Sequence, residues 1–246
     1  MDSAVVVPAL GAFFIASFLK GLTGLGFSTL CLGLLAIFID VKLAIALVFL
    51  PSLSSNIMVM AEAGRFRDSF KRFWFLFLSA VPGLLAGVWF LGNSPDELPK
   101  AALGGVMFLY GIWGLKNDRF ELSQRQERSL VFPVGFVSGL VNGATGSQIM
   151  PIMPYLLSLK MDRNLFVQTI NSSFTINTLI MMVCLGKLGV LTVAVIWMSA
   201  IGILPVALGI FLGGKLRKRL PEAIYRKMVL VLLICLGVNL AVRPFI

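Results

Sequence analysis

The sequence predicts an all-α integral membrane protein made of two inverted repeats, each a helical hairpin followed by three transmembrane helices. Three observations support this fold class: the apolar composition, an internal repeat, and an uneven distribution of basic residues among the loops. Of the 246 residues, 58% are apolar and 13% are charged, whereas soluble domains average about 25% charged residues. So few polar side chains cannot cover the surface of a soluble protein this size, and we expect lipid around it.

Ten apolar runs make up most of the chain and define its expected helices. They lie at 4–18, 27–39, 43–61, 73–91, 101–115, 129–140, 147–159, 165–185, 188–213 and 228–242. A membrane-spanning helix needs ~20 mostly apolar residues, and two neighbouring pairs of runs, 4–18 with 27–39 and 129–140 with 147–159, are short for full spans. Glycines separate the two members of each short pair. Each pair is therefore expected to form a hairpin, broken or re-entrant, that enters and leaves the bilayer by one face.

An internal repeat becomes visible when the two halves are offset by about 122 residues. Residues 20–24 (Lys-Gly-Leu-Thr-Gly) then align with residues 142–146 (Asn-Gly-Ala-Thr-Gly), and Gly87 aligns with Gly209. Each glycine match is weak alone, but the matches keep one order and one spacing along each half. The expected organisation is one compact membrane domain with a first repeat at 1–115, a basic linker at 116–128 and a second repeat at 129–246.

Basic residues indicate how the two repeats are oriented. If each hairpin leaves the membrane on the side from which it entered, only the three following helices cross the membrane. Each half then crosses an odd number of times, and the two halves have opposite orientations. One side then holds 16 of the 21 Lys and Arg residues, in segments 64–72, 116–128, 160–163 and 215–227. Because basic loops are cytoplasmic, we expect these loops in the cytoplasm. Hairpins that each formed one broken span would divide the charges almost evenly, whereas two short full spans would give the same sidedness and stay an alternative.

Two glycine-broken stretches are the best candidates for a binding site, because irregular backbone at membrane depth persists only beside protein or a water-filled cavity. Free backbone N–H groups at the start of each hairpin's second helix would attract an anion. The candidates in the first stretch are Lys20, Gly21, Thr23, Gly24, Gly26 and Ser28. Those in the second stretch are Asn142, Gly143, Thr145, Gly146, Ser147 and Gln148. The alternative is that the glycines only let helices pack closely.

Lys20 is the most specific single candidate. A charge at bilayer depth costs at least ~2.5–3.5 kcal/mol, and such residues usually face a cavity or a partner. It would supply positive charge to an anionic substrate; the alternative is that it extends to the interface from the end of a short apolar run. Asn142 occupies the matching position in the second repeat, so the predicted site is asymmetric. Polar residues on later helices complete the candidate set, with hydrogen bonding between helices as the alternative: Asn56, Asn171, Thr175 and Asn177.

Missing residue types exclude several functions. The chain has no histidine, and its three cysteines are scattered through apolar runs, so we expect no metal site and no cofactor. No Asp or Glu lies in mid-span, which argues against a proton relay, a hard-cation site and a catalytic site. The net charge of +10 is explained by membrane orientation and does not indicate nucleic-acid binding. A small anion suits this core, and we expect no enzyme activity.

The hairpin sequences KGLTGLGF and NGATGSQIMPI, the duplicated pattern and the short basic central loop resemble the TauE/SafE family of sulfite and organosulfonate exporters. The resemblance covers nearly the whole chain. The family's glycine-rich stretch is reduced here to Gly-Leu-Gly-Phe at 24–27 and to Gly-Ser-Gln at 146–148. The resemblance implies a secondary transporter in a bacterial-type inner (plasma) membrane that exports sulfite, sulfoacetate or other sulfonates by alternating access.

Two other functions stay open from the sequence. An anion channel also needs a polar path through the membrane. A non-transporting assembly subunit would be expected to have apolar spans, and the polar glycine-broken pairs argue against it. The expected partners are a small anionic substrate and the lipid bilayer. Neither the coupling ion nor the oligomeric state can be read from the sequence, which is compatible with a homodimer.

Overall fold

The computed structural model describes residues 3–23, 26–116, 121–217 and 222–242, and these residues form helices joined by short turns, without a strand among them. Helices are the expected choice, because in lipid every backbone polar group needs a partner within its own segment. The helices are α1 (Ser3–Thr23), α2 (Phe27–Leu35), α3 (Val41–Ala63), α4 (Phe66–Asn93), α5 (Glu97–Lys116), α6 (Gln124–Thr145), α7 (Ile152–Leu157), α8 (Arg163–Lys187), α9 (Val193–Ile201), α10 (Ile203–Arg217) and α11 (Glu222–Val242).

Five stretches of the described residues are long and apolar enough to cross a membrane. Four are the single helices α3, α4, α5 and α8, and the fifth is α9 with α10, which together cover Val193–Leu216. Shorter apolar segments lie within α1 (Val6–Leu22) and α11 (Lys227–Val242). The described residues are therefore helical apart from the turns, and they include five helical stretches of membrane-spanning length and composition, as the sequence predicts.

The hairpins differ from the prediction, because only their second arms are short. The first arms, α1 and α6, have 21 and 22 residues, or about 30 Å at 1.5 Å per residue. The second arms, α2 and α7, have 9 and 6 residues, or about 14 Å and less. Arms this short cannot cross a bilayer ~30 Å thick, so two short full spans per hairpin do not describe this structure.

The apolar runs 4–18 and 129–140 are shorter than the helices that contain them, α1 and α6, because a helix can continue into polar sequence. Helix α1 continues through Lys20, and α6 begins at Gln124 within a reciprocal capping box, which stabilises a helix start in polar sequence. The end of the predicted linker at 116–128 is consequently helical.

Matching helices from the two halves of the chain pack against each other. Helix α4 packs along α6, and α10 packs along α1, so the fourth segment of each half holds the first helix of the other half. Helix α3 also packs against α8, and α5 against α11. Each of these pairs joins one helix of residues 3–116 to one of residues 124–242.

Glycines allow the backbones of α4 and α10 to pack directly against the backbones of the two long first arms, α6 and α1. A Cβ atom on Gly83 or Gly87 of α4 would overlap the backbone of α6, and one on Gly209 or Gly213 of α10 would overlap the backbone of α1. The backbone positions involved correspond in the two halves: Phe136 and Leu140 in α6, and Phe14 and Phe18 in α1.

The contacts of the glycines in α4 and α10 change the predicted alignment of the two halves at these helices. Gly87 was aligned with Gly209, but its contacts match those of Gly213, one helical turn further along. The loop that precedes the fourth segment is longer in the second half, at 188–192, than in the first half, at 64–65. This insertion shifts the later helices and leaves the hairpins at the original offset.

Ion pairs join three basic segments at one end of the molecule. The pairs are Arg65–Asp162 at 3.3 Å, Arg72–Glu127 at 2.8 Å and Lys160–Glu121 at 3.1 Å. Segments 64–72, 121–128 and 160–163 therefore lie together. Elsewhere, the Asp96 carboxylate accepts a hydrogen bond of 2.9 Å from the backbone N–H of Val41, which joins the loops before α3 and α5.

We expect Gly87→Ala and Gly213→Ala each to lower the unfolding free energy by about 1–3 kcal/mol, because the added methyl group would meet the carbonyl oxygens of Leu140 and Phe18. Gly11→Ala in α1 is the matched control, since nothing lies within 4 Å of its Cβ position and alanine favours a helix. Thermal unfolding in detergent checks this. Equal stability of all three variants would contradict the proposed packing role.

Candidate functional site

Each hairpin has a tip where its second arm begins, and the two tips touch inside the helix bundle. We call residues 26–29 the first tip and residues 146–149 the second tip. Gly26 has φ 88° and Gly146 has φ 73°, a left-handed conformation that glycine adopts without strain. The Thr29 Oγ1 lies 3.1 Å from the Ser147 Oγ across the tips. The structure thus brings the glycine-broken stretches of the two halves into contact.

A small polar cavity, which we call the lysine cavity, lies beside the first tip. Its walls come from the first hairpin, the second tip, α3 and α8. Six of the predicted site residues line it: Lys20, Gly26, Ser28, Asn56, Gln148 and Asn171. These residues lie far apart along the chain, between positions 20 and 171. The fold therefore brings them together at one site.

Lys20 brings a positive charge to this cavity. Its side chain is 7% exposed, its ammonium donates a hydrogen bond of 2.8 Å to the Ser55 Oγ, and it lies 6.0 Å from the centre of the Phe27 ring. None of the ion pairs among the described residues involves Lys20. A buried ammonium without an acidic partner is costly, and an anion in the cavity would offset that cost.

A second small cavity, which we call the apolar cavity, adjoins the first. Aliphatic, aromatic and thioether side chains form most of its wall, including Ile45, Val48, Phe49, Met181 and Leu185. The predicted residues Asn142 and Gly146 also line it. Ser28 and Gln148 line both cavities, so only a thin layer of side chains separates the two spaces.

Hydrogen bonds hold that layer, which we call the polar layer, together. The hydroxyls of Ser28 and Ser52 lie 2.7 Å apart, and the Gln148 amide Nε2 donates to the Thr178 Oγ1 at 2.9 Å. The layer thus connects each tip to the long helix that follows its hairpin. Neutral hydrogen bonds of this kind contribute about 0.5–1.5 kcal/mol each.

Two asparagines offer unused hydrogen-bond donors to the cavities. Among the described residues, neither the Asn56 Nδ2 nor the Asn142 Nδ2 has a partner, although both atoms are buried. Asn56 lines the lysine cavity and Asn142 lines the apolar cavity. Leaving a buried donor unpaired costs about 1–3 kcal/mol. Such groups are typical of positions that bind water or a ligand.

Gly21 and Gly143 do not line either cavity. A Cβ atom on Gly21 would lie 2.6 Å from the Ile210 carbonyl oxygen of α10, and one on Gly143 would overlap the Leu84 carbonyl of α4. The structure therefore places both glycines in the close helix contacts, the packing role that the sequence left as the alternative.

The other predicted residues have local roles or lie apart from the cavities. The Thr145 Oγ1 donates to the Val141 carbonyl at 2.7 Å and accepts from the Ser147 N–H at 3.1 Å, which closes the end of α6. Thr175 and Asn177 lie in α8 without lining either cavity. Gly24 and the side chain of Thr23 lie outside the described residues.

Two residues of the polar layer, Ser52 and Thr178, were absent from the predicted site. A signal for each exists in the sequence, because Ser52 lies one helical turn before Asn56 and Thr178 lies two turns after Asn171. The apolar side chains of the second cavity carry no such signal, since aliphatic residues in a membrane helix usually face lipid or core.

We expect Asn56→Leu to leave the unfolding temperature in detergent unchanged or raised, because the Nδ2 gives up no hydrogen bond to the described residues and apolar contact is gained. Ser199→Ala is the contrast, because the Ser199 Oγ donates to the Leu47 carbonyl at 2.8 Å and accepts from the Leu50 N–H at 3.2 Å. Its loss should cost about 1 kcal/mol. Equal destabilisation by both changes would contradict a ligand-binding role for Asn56.

Comparison with known proteins identifies one family. The model of the family described as sulfite exporter TauE/SafE matches residues 9–240, nearly the whole chain. The match includes both hairpins, both cavities and the polar layer. Searches of curated proteins and of solved structures found no match.

Proposed function

Because this chain belongs to the sulfite exporter TauE/SafE family, we propose that it is a secondary transporter that exports small anions such as sulfite, sulfoacetate or other sulfonates. Lys20 is the observation that carries the proposal. It is a buried cation in a membrane helix, it faces a polar cavity, and no described acidic residue pairs with it.

The lysine cavity has the donors that an oxyanion requires. Sulfite and sulfonates present oxygen acceptors, and hydrogen bonds to a charged donor are about twice as strong as neutral ones. The Lys20 ammonium would bind the charge, and the unpaired Asn56 amide would bind a second oxygen. The first turn of α2, where Phe27 and Ser28 line the cavity, adds to this because a helix N-terminus attracts negative charge.

The proposed scaffold is a pair of inverted repeats. The supporting observation is that the fourth segment of each half packs against the first helix of the other through equivalent glycine contacts. Transporters built this way place the substrate between discontinuous helices where the repeats meet. The two touching tips are such a place.

Alternating access is the proposed mechanism. The polar layer separates the lysine cavity from the apolar cavity, and its bonds link each tip to a neighbouring helix. Rocking of one repeat against the other would instead separate the two tips, which touch at Thr29 and Ser147, and would expose the substrate to either side of the membrane in turn.

The proposed location is the inner (plasma) membrane, with loops 64–72, 116–128 and 215–227 in the cytoplasm. Support comes from the basic residues of these loops and from the ion pairs that gather 64–72, 121–128 and 160–163 at one end. Positive charge at one end is typical of the cytoplasmic side.

We expect Lys20→Met to lower the uptake of radiolabelled sulfite and sulfoacetate into proteoliposomes at least tenfold. Charged hydrogen bonds are worth about 1.5–3 kcal/mol, and methionine keeps the length of the side chain without its charge. Lys160→Met is the matched control, because Lys160 is an exposed lysine in a loop ion pair. It should transport normally.

The same assay separates the competing functions. Saturable uptake with exchange against unlabelled substrate indicates a carrier, whereas flux that rises linearly with concentration indicates a channel. Absence of flux for both anions, in folded and inserted protein, would contradict the proposed function. Normal flux in Lys20→Met would contradict the site alone.

We expect a cysteine at position 160 to be protected, and a cysteine at position 187 to react, when intact cells meet a membrane-impermeant maleimide. Lys160 and Lys187 are both exposed and belong to opposite sides in the proposed topology. The native cysteines are replaced first, and permeabilised cells serve as the labelling control. Labelling of position 160 in intact cells would reverse the proposed orientation.

A further inference from the structure

The packing of the helices divides most of the molecule into two groups. Helices α1, α2, α3, α9 and α10 form one group, which we call the first bundle, and α4, α6, α7 and α8 form the second bundle. Each bundle combines a hairpin and the long helix that follows it with the fourth segment of the other half. Helices α5 and α11 pack on each other and contact both bundles. The main contact between the bundles is that of α3 with α8, which we call the seam.

Hydrogen bonds between side chains of different segments lie mainly within a bundle. Those in the first bundle include Lys20–Ser55 and Ser28–Ser52, and those in the second include Gln148–Thr178 and Ser69–Thr169. In the part of the chain that the structure describes, two such bonds cross between the bundles. The Thr29 and Ser147 hydroxyls lie 3.1 Å apart at the tips, and the Ser172 Oγ donates to the Met60 Sδ at 3.4 Å in the seam. The second of these is weak, because a thioether sulfur is a poor acceptor.

The seam has a different character at its two ends. Helix α3 ends and α8 begins near the ion pair of Arg65 with Asp162, so Met60 and Ser172 lie toward that end. Beside them the Gln168 Nε2 donates to the Ser172 Oγ at 3.2 Å, and the Gln168 Oε1 is buried without a partner among the described residues. This end of the seam is therefore polar and incompletely paired.

The opposite end of the seam is apolar. Val48 of α3 and Met181 and Leu185 of α8 belong to one continuous apolar core, and they line the apolar cavity. Separating the helices here would bring buried apolar surface into water, which is unfavourable. Separating them at the polar end would break the bond to the Met60 sulfur and let water reach the Gln168 Oε1. The exposed Arg65–Asp162 pair adds little resistance.

We propose that the two bundles move as rigid bodies about the seam, with Met60 and Ser172 as the gate on the side of the ion pairs and Val48 and Met181 as the gate on the opposite side. This inference rests on the proposed function, since it assigns the moving parts of that transporter. The polar gate opens the more easily of the two, and it leads between α3 and α8 to Asn56 and Asn171 of the lysine cavity.

A reversible cross-link tests the polar gate. Met60→Cys and Ser172→Cys are combined in protein without native cysteines and linked by a short bis-methanethiosulfonate. Sulfoacetate uptake into proteoliposomes should fall to the level of empty liposomes and return after treatment with dithiothreitol. Ser69→Cys with Thr169→Cys is the matched control, because these hydroxyls lie 3.0 Å apart on two helices of the second bundle and line neither cavity. The control should transport equally well with and without the link.

Labelling of single cysteines follows the gate without transport. Ser172 and Thr169 lie on the same helix, and both are buried, with 2% and 0% of their surface exposed. Ser172 lies in the seam, whereas Thr169 contacts Ser69 within the second bundle. In purified protein, Ser172→Cys should react with a hydrophilic maleimide much faster than Thr169→Cys, because opening of the seam exposes the first position alone.

The outcomes separate this inference from the proposed function. Undiminished uptake by the protein linked at 60 and 172 would overturn the inference and leave anion transport in place. An equal loss of uptake in the linked control would also overturn it, and so would equal labelling of positions 172 and 169. If the unlinked protein takes up no anion, the proposed function fails, and the labelling alone decides whether the seam opens.

Discussion

The close contact between α4 and α6, and its counterpart between α10 and α1, determines where the rest of the molecule lies. In lipid the hydrophobic effect does not drive helices together, so association depends on van der Waals packing and hydrogen bonds. Glycines let these helices approach at backbone distance. The part of each long arm that leads to its tip, 14–22 in α1 and 135–144 in α6, is thereby held by the opposite half. The two tips consequently meet inside the bundle.

The position of the tips inside the bundle imposes a second constraint, which is that the polar groups of their irregular backbone need hydrogen-bond partners. Within a membrane those partners are protein groups or water held in a cavity. Part of the need is met locally: the Gly146 N–H donates to the Asn142 carbonyl at 2.7 Å, and the Thr145 hydroxyl accepts from the Ser147 N–H at 3.1 Å. Among the described residues, the Nδ2 atoms of Asn56 and Asn142 remain unpaired. The polar character of the cavities thus follows from the same broken helices that the packing places there.

The sequence allowed the helical class, most of the long spans and the correspondence of 20–24 with 142–146 to be predicted, because these depend on composition and spacing alone. It did not allow the length of α1 to be predicted, since hydropathy records contact with lipid and not backbone hydrogen bonding. Nor could it separate Gly21, which packs on α10, from Gly26, which lines the lysine cavity. The two differ only in which neighbour meets them, and that depends on the tertiary arrangement.

The site also combines residues that no local pattern connects. Lys20, Asn56 and Asn171 share one cavity, and their polar character made each a candidate separately. The apolar wall of the second cavity was invisible in the sequence, because an aliphatic side chain that faces a cavity has the same identity as one that faces lipid. The size of the site therefore became apparent only from the packing of α3 and α8.

The unequal residues at equivalent positions, Lys20 in one hairpin and Asn142 in the other, have an energetic consequence. In the proposed inverted arrangement, two identical repeats would make the inward-open and outward-open states mirror each other, with equal populations when empty. A charge in only one hairpin removes that degeneracy, since the ammonium is hydrated to different extents in the two states. In that arrangement the empty protein would favour one state, and an anion that neutralises the charge would shift the population toward the other.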